Sequence, residues 1–393
     1  MIKHDEVYVD GRKLAIPALL VGVLGLIGCG IGFFVNPETF FEAYLVAFLF
    51  WLGIALGGLG ITMLHYIVGG LWGLFIRRGL ESAALTLPLL LLLALPLLLG
   101  LGHLYEWTRP EVIAADETLQ LKTPYLNLPF FFIRAAIYFA AWITLSLLIN
   151  RWSQQQDRSG DARLAGRLRS LSYAGLILYI FTTTFAAYDW IMSIQPHWAS
   201  SVFGLLLIAG QALAGLSFGI LTAALLARRN TLLQHAVTPG RFGDLGSLLL
   251  VLVMFWMYIN LSQFLIIWSG NLPEEVIWYV ERSQNGWQWL IWALFTLQFV
   301  VPLAVLISRD ARRSMLIVAG LAGMLLAAHL VELFWRVIPA FRSTLALHWL
   351  DLAAAFGVGG VWLAAFAWLF GRRPVVPLHD PLTPRLQEVS EHG

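Results

Sequence analysis

Residues 85–103 read LTLPLLLLLALPLLLGLGH, with no charge before the closing histidine. The length matches the roughly 20 apolar residues that a helix needs to cross a hydrocarbon core. The run is too continuous for a membrane barrel strand, which alternates over about ten residues. Pro88 and Pro96 bend a membrane helix without forbidding it, because neighbouring groups re-satisfy the freed backbone carbonyls. The stretch reads as a transmembrane helix, and the next question is how many others accompany it.

Ten such runs occur in the 393 residues: 14–35, 43–66, 83–103, 129–149, 172–192, 202–226, 246–268, 286–307, 314–335 and 349–370. Only 12% of residues are charged and 59% are hydrophobic, whereas about a quarter are charged in an ordinary soluble domain. The expectation is an all-α integral membrane protein, one polytopic domain over 1–393 with about ten transmembrane helices. The N-terminal stretch shows no small-residue cleavage site, so the first run is expected to stay as a helix. Cys29 stands alone, which leaves no disulfide framework, zinc site or iron–sulfur cluster.

Charge placement orients the helices. Nineteen of the 25 Lys and Arg residues fall in the two termini and in 67–82, 150–171, 227–245 and 308–313. Five fall in the alternate segments, and Arg134 lies inside the fourth run. The positive-inside rule then makes both termini cytoplasmic. Asp189, His103, Glu106, His329, Glu332, Arg336, His348 and Asp351 all gather toward the outer face, with His65 the main exception. The basic segment 150–171 reads as a solvated connector assisted by anionic lipid. Glycines spaced for close helix approach, Gly53–Gly57 and Gly215–Gly219, mark the second and sixth runs and hint at a repeated four-helix unit.

Several polar residues compete for a role. His329, Glu332 and Arg336 share one helical face, as a self-neutralised patch or as a titratable pair for proton transfer. Asp189, within TFAAYDWIMSIQPHW (184–198), is either an acid wetted at the aromatic belt or a buried carboxylate reached by a proton path along the Thr182–Thr183–Thr184 hydroxyls. Thr182 is on the same helical face as Asp189. His103 and Glu106 read as interfacial groups or as part of the same site. Arg134 either snorkels to water or pairs with Asp189 or Glu332. His197 reads as a loop-packing residue, and no paired-histidine pattern argues for haem.

Five stretches go further than composition. They are FWLGIALGGLGITMLHYIVGG (50–70), WGLFIRRGLE (72–81), AADETLQLKTPYLNLPFFFIRAAIYFA (114–140), YDWIMSIQPHWASSVFG (188–204) and NLSQFLIIWSGNLPEEVIWY (260–279). Together they resemble the ActF-type subunits of bacterial alternative complex III, relatives of the NrfD and polysulfide-reductase membrane-anchor family. The resemblance implies two four-helix bundles with two flanking helices, in a bacterial cytoplasmic membrane. It also implies a place in a quinol:cytochrome c oxidoreductase. The implied partners are multihaem cytochrome c and iron–sulfur subunits and a larger NrfD-like sister subunit. Membrane lipid surrounds the chain, and nucleic acid is not expected as a partner. The redox centres would belong to those partners. No covalently held or metal-ligated cofactor is then expected here, with quinol or menaquinol as substrate.

No family motif transfers residue by residue, so the site candidates rest on the residues themselves. Asp189 is expected as proton acceptor or relay, His103 and His329 as headgroup or relay partners, and Glu332 as a relay. Two other classes stay open. A secondary transporter fits internal repeats but not one-sided polar groups. A purely structural anchor would use the charges for packing alone.

Overall fold

The structure is a computed structural model that describes residues 8–228, 230 and 238–382. Lys3, Arg229 and Arg385, which contribute to the charge asymmetry, lie outside the described residues. Ten helices are long and apolar enough to cross a membrane, and the described residues contain no strand. They are α1 (Arg12–Val35), α2 (Pro37–Val68), α3 (Leu71–Leu98), α4 (Leu128–Ser159), α5 (Arg163–Ile194), α6 (Phe203–Ala227), α7 (Pro239–Gly270), α8 (Trp287–Leu306), α9 (Met315–Ala340) and α10 (Trp349–Phe370). The chain is an integral multi-pass membrane protein. In lipid every backbone polar group must be satisfied internally, which leaves continuous apolar sequence no alternative to the helix.

The helices close into two rings, α2–α5 and α6–α9, with α1 packed against α10 at the side. The rings meet where α2 crosses α6. A Cβ at Gly57 would lie 1.8 Å from the Gln211 carbonyl oxygen, and one at Gly215 would lie 2.3 Å from the Gly57 carbonyl carbon. Gly57 and Gly215, one from each GxxxG pair, therefore form a backbone-to-backbone seam between α2 and α6. Helix α1 instead turns Leu20, Leu24, Ile27 and Phe34 outward, as a lipid-facing helix should.

Three segments that read as loops are helical. Helix α3 begins at Leu71 and not near residue 83, so Arg77 and Arg78 lie within it and are buried. The span 150–171 keeps its basic side chains exposed, but it is mostly helix and not a loop. Helix α4 runs to Ser159 and α5 starts at Arg163, joined through Gly160 in the left-handed region (φ 65). Helix α7 starts at Pro239, capped by Thr238. In each case hydropathy reported only the continuously apolar part of a longer helix.

Two prolines shape the spans. Ahead of Pro88, α3 opens at Leu85 and Thr86, because Pro88 has no N–H to give the Ala84 carbonyl. Helix α8 widens into a π-helical stretch over Phe295–Val300. Pro302 cannot donate to the Gln298 carbonyl and crowds it, and a local π turn relieves the conflict.

Candidate functional site

Among the buried polar residues three groups stand out, two at the end that carries Asp189 and one at the opposite end. The richest is built on α9. Glu332 Oε1 accepts from Arg336 Nη2 at 2.7 Å and from Trp256 Nε1 at 2.8 Å. Its Oε2 accepts from Gln298 Nε2 at 3.0 Å and lies 3.0 Å from His329 Nδ1. Arg336 also donates to Asn260 Oδ1 at 3.0 Å. Three helices thus converge on one carboxylate: α9 by its three-and-four spacing, α7 by Trp256, and α8 by the π turn that presents Gln298. All of Glu332, His329, Arg336 and Gln298 are buried.

A cleft of about 240 Å³ reaches this group, walled by Asn260, Gln263, Phe264, Tyr279, Glu332 and Arg336 among others. Leu261 and Phe264 on its rim are exposed, so it opens through the apolar surface of α7. Above it lies the short helix Pro273–Arg282, which inserts Trp278 and Arg282. Arg282 donates to the Trp278 and Arg336 carbonyls and to Gln195 Oε1. Burial draws its pKa down to about 9, so it remains a cation at neutral pH and ties three segments together.

Away from the cleft, His329 Nε2 has no hydrogen-bond partner. It faces the α2–α6 seam, 3.4 Å from where a Gly53 Cβ would lie. Nearby in that seam Tyr179 donates to Gln211 at 2.9 Å.

The second group is closed. Arg134 grips Asp189 with both arms, Nε to Oδ2 at 2.8 Å and Nη2 to Oδ1 at 2.9 Å, and Tyr138 donates to Oδ2 at 2.7 Å. Arg134 also donates to the Tyr125 carbonyl and lies over the Tyr125 ring. Asp189 is fully buried and not wetted, with Arg134 as its partner. Its oxygens are engaged by protein donors. Thr182 on the same helix accepts from Trp142 at 2.9 Å and does not touch Asp189.

The structure does not bring the four candidates into one site. Glu332 and His329 touch, Asp189 sits in the other ring, and His103 is exposed with its ring stacked on Phe41. His197 pairs with Asp116 at 2.6 Å across two loops, as a packing residue would. His348 caps α10, and Asp351 binds Arg342.

The third group overturns the expectation that polar residues crowd one face. At the opposite end Glu81 accepts from Tyr66 at 2.8 Å, Arg78 at 2.6 Å and Ser153 at 2.9 Å. Arg78 also binds Asp157, and Arg373 binds Asn150. Arg77 reaches Asp380 at 2.8 Å. These residues are hidden from a hydropathy reading because WGLFIRRGLE looks like a charged loop. Pairing makes the charges tolerable inside, since a buried charge survives only when matched.

No protein-family model matches the chain, and no curated protein matches it.

The Asp380 contact sets a pH response. Burial works against its carboxylate, but the Arg77 guanidinium and the Leu382 amide outweigh it and hold the pKa below the ordinary 3.8. A carboxylate with a depressed folded pKa stabilises above the unfolded value and loses that contribution as pH falls through the folded one. Amide protection over 374–382, taken relative to intrinsic exchange at each pH, is expected to fall as pH drops below 3.8, and Asp380→Asn should lower it at neutral pH. Unchanged protection in both cases would mean that the Arg77 contact does not hold this segment.

Proposed function

We propose that the chain is a membrane subunit of a quinol-oxidising respiratory complex, with the α7–α8 cleft seating the quinol headgroup. The observation that carries the reading is the buried Glu332–His329–Arg336–Gln298 group at the back of a cleft that opens to lipid. A quinol is a polar ring on an apolar chain. It needs an entrance through the membrane's apolar layer and a few placed polar groups at depth, as small-molecule sites generally do.

Oxidation of the quinol releases two electrons and two protons. The electrons go to the iron–sulfur and cytochrome c subunits named by the resemblance, outside this chain. The protons need an acceptor beside the ring. Glu332 meets the cleft directly, and His329, 3.0 Å behind it, is the next station. Arg336 and Trp256 hold the carboxylate in place. Asp189 acts as a positioning group for α4 and α5, since it does not line the cleft, whereas Glu332 does. His103 stays at headgroup depth as an outer contact. The charge asymmetry supports placing this end outward, in a bacterial cytoplasmic membrane.

A second reading, proton or ion translocation, is favoured by the order of the buried polar groups. Glu332 and His329 lie toward one end, Tyr179 and Gln211 in the central seam, and Tyr66 and Glu81 at the other end. The one-sidedness that counted against a transporter does not hold.

Extraction of the tagged protein in mild detergent tests the first reading. Stoichiometric haem and iron–sulfur subunits are expected, visible in a reduced-minus-oxidised spectrum. A colourless chain that stays folded alone would contradict it and favour translocation.

A further inference from the structure

The two rings each carry one cleft at the same end, and the clefts occupy matching positions. The first, about 220 Å³, lies between α3 and α4 with Trp190 of α5 behind it. The second, about 240 Å³, lies between α7 and α8 with Trp335 of α9 behind it. The registers agree closely. Ala94, Leu97 and Leu98 line the first cleft, and adding 166 to each number gives Asn260, Gln263 and Phe264, which line the second. On the facing helix, Phe131 and Ala135 stand four apart in the first cleft, as Ile291 and Phe295 do in the second.

What differs is the chemistry. The second cleft has Asn260, Gln263, Glu332 and Arg336 on its walls. At the places matching Asn260 and Gln263 the first has Ala94 and Leu97, and no carboxylate or guanidinium lines it. Tyr105 is committed through its hydroxyl to the Trp190 carbonyl at 3.1 Å, and the other polar-tipped side chain there, Trp190, offers a single indole N–H. Asp189, adjacent to Trp190, faces away into the Arg134 grip. The mouth is bordered by Leu91, Leu95, Leu98 and Phe132, all exposed on the lipid-facing side.

We propose that the α3–α4 cleft is an apolar duplicate of the α7–α8 cleft and binds the acyl chain of a phospholipid, with no headgroup seated inside. An empty apolar cleft forfeits dispersion contacts on its open side, and in a membrane the abundant apolar chain is the lipid tail. The walls hold no carboxylate, guanidinium or amide side chain of the kind that would seat a quinone ring in the second cleft. The site stands whatever occupies the Glu332 cleft.

The test uses the full chain in nanodiscs that contain phosphatidylglycerol with a diazirine partway along one acyl chain. After photolysis, labelling is expected to concentrate on 91–98 and 131–136 above that on 173–181, a lipid-facing stretch of α5. Ala135→Trp fills the cleft and should remove the excess while leaving 173–181 labelled. Ala94→Asn, a smaller change, should lower the excess even if the tryptophan variant fails to fold. Even labelling of all three stretches, or an excess that persists in a folded variant, overturns the proposal. So does displacement of the excess by added menaquinone, which would assign the cleft to an isoprenoid chain. None of these readouts depends on turnover, so they fail or succeed separately from the quinol reading.

Discussion

Arg134→Leu is expected to destabilise the protein by ~3–5 kcal/mol, because it leaves Asp189 as a buried carboxylate without its counter-ion. The loss is large because Asp189 is fully buried and the grip is two-armed and supported by Tyr138. Asp189→Asn should fail in the mirror sense, stranding the guanidinium. The double replacement Arg134→Leu with Asp189→Leu should recover most of the stability, since removing both charges of a buried pair is often close to neutral. Unfolding measured in a lipid or detergent titration checks the cycle. If the single and double variants lose the same amount, the pair is wetted and the clamp assignment fails. A proton-accepting Asp189 predicts the opposite pattern, with stability intact and quinol-dependent turnover lost.

Glu332→Gln is expected to abolish most quinol-dependent turnover in the assembled complex. Loss of a positioned general base typically costs a factor of ~10²–10⁴. The amide keeps the shape and still accepts from Trp256, but it cannot take a proton from a hydroxyl at neutral pH. Glu332→Asp keeps the charge on a shorter arm and should restore part of the rate, which an assembly defect would not allow. Assembly is read independently, from the haem content that co-purifies. Turnover unchanged in a fully assembled Glu332→Gln complex would remove the carboxylate from the mechanism.

The sequence carried the helix count because each span is a continuous apolar run, and lipid admits no other element. It did not carry the helix ends. Arg77, Asn150 and Asp157 lie in helices whose polar turns pair with one another, and hydropathy scores such turns as loops. The α9 trio was legible because its spacing of three and four lies within one helix. Trp256 and Gln298, its partners, were not, because they arrive from other helices. Gln298 also depends on a π turn that follows from Pro302 only once the helix is seen. The glycine spacing on α2 and α6 did mark the seam between the rings. The paired clefts were out of reach, since alanine and leucine at matching positions carry no signal until the facing helices are in place.

The measurement that bears most directly on the quinol site is photolabelling of the intact complex with an azido-substituted quinone, followed by peptide mapping. Attachment within 256–264 or 291–295, suppressed by excess quinol, is the result expected for a headgroup beside Glu332. Attachment confined to α2–α5, or to partner subunits alone, would contradict it.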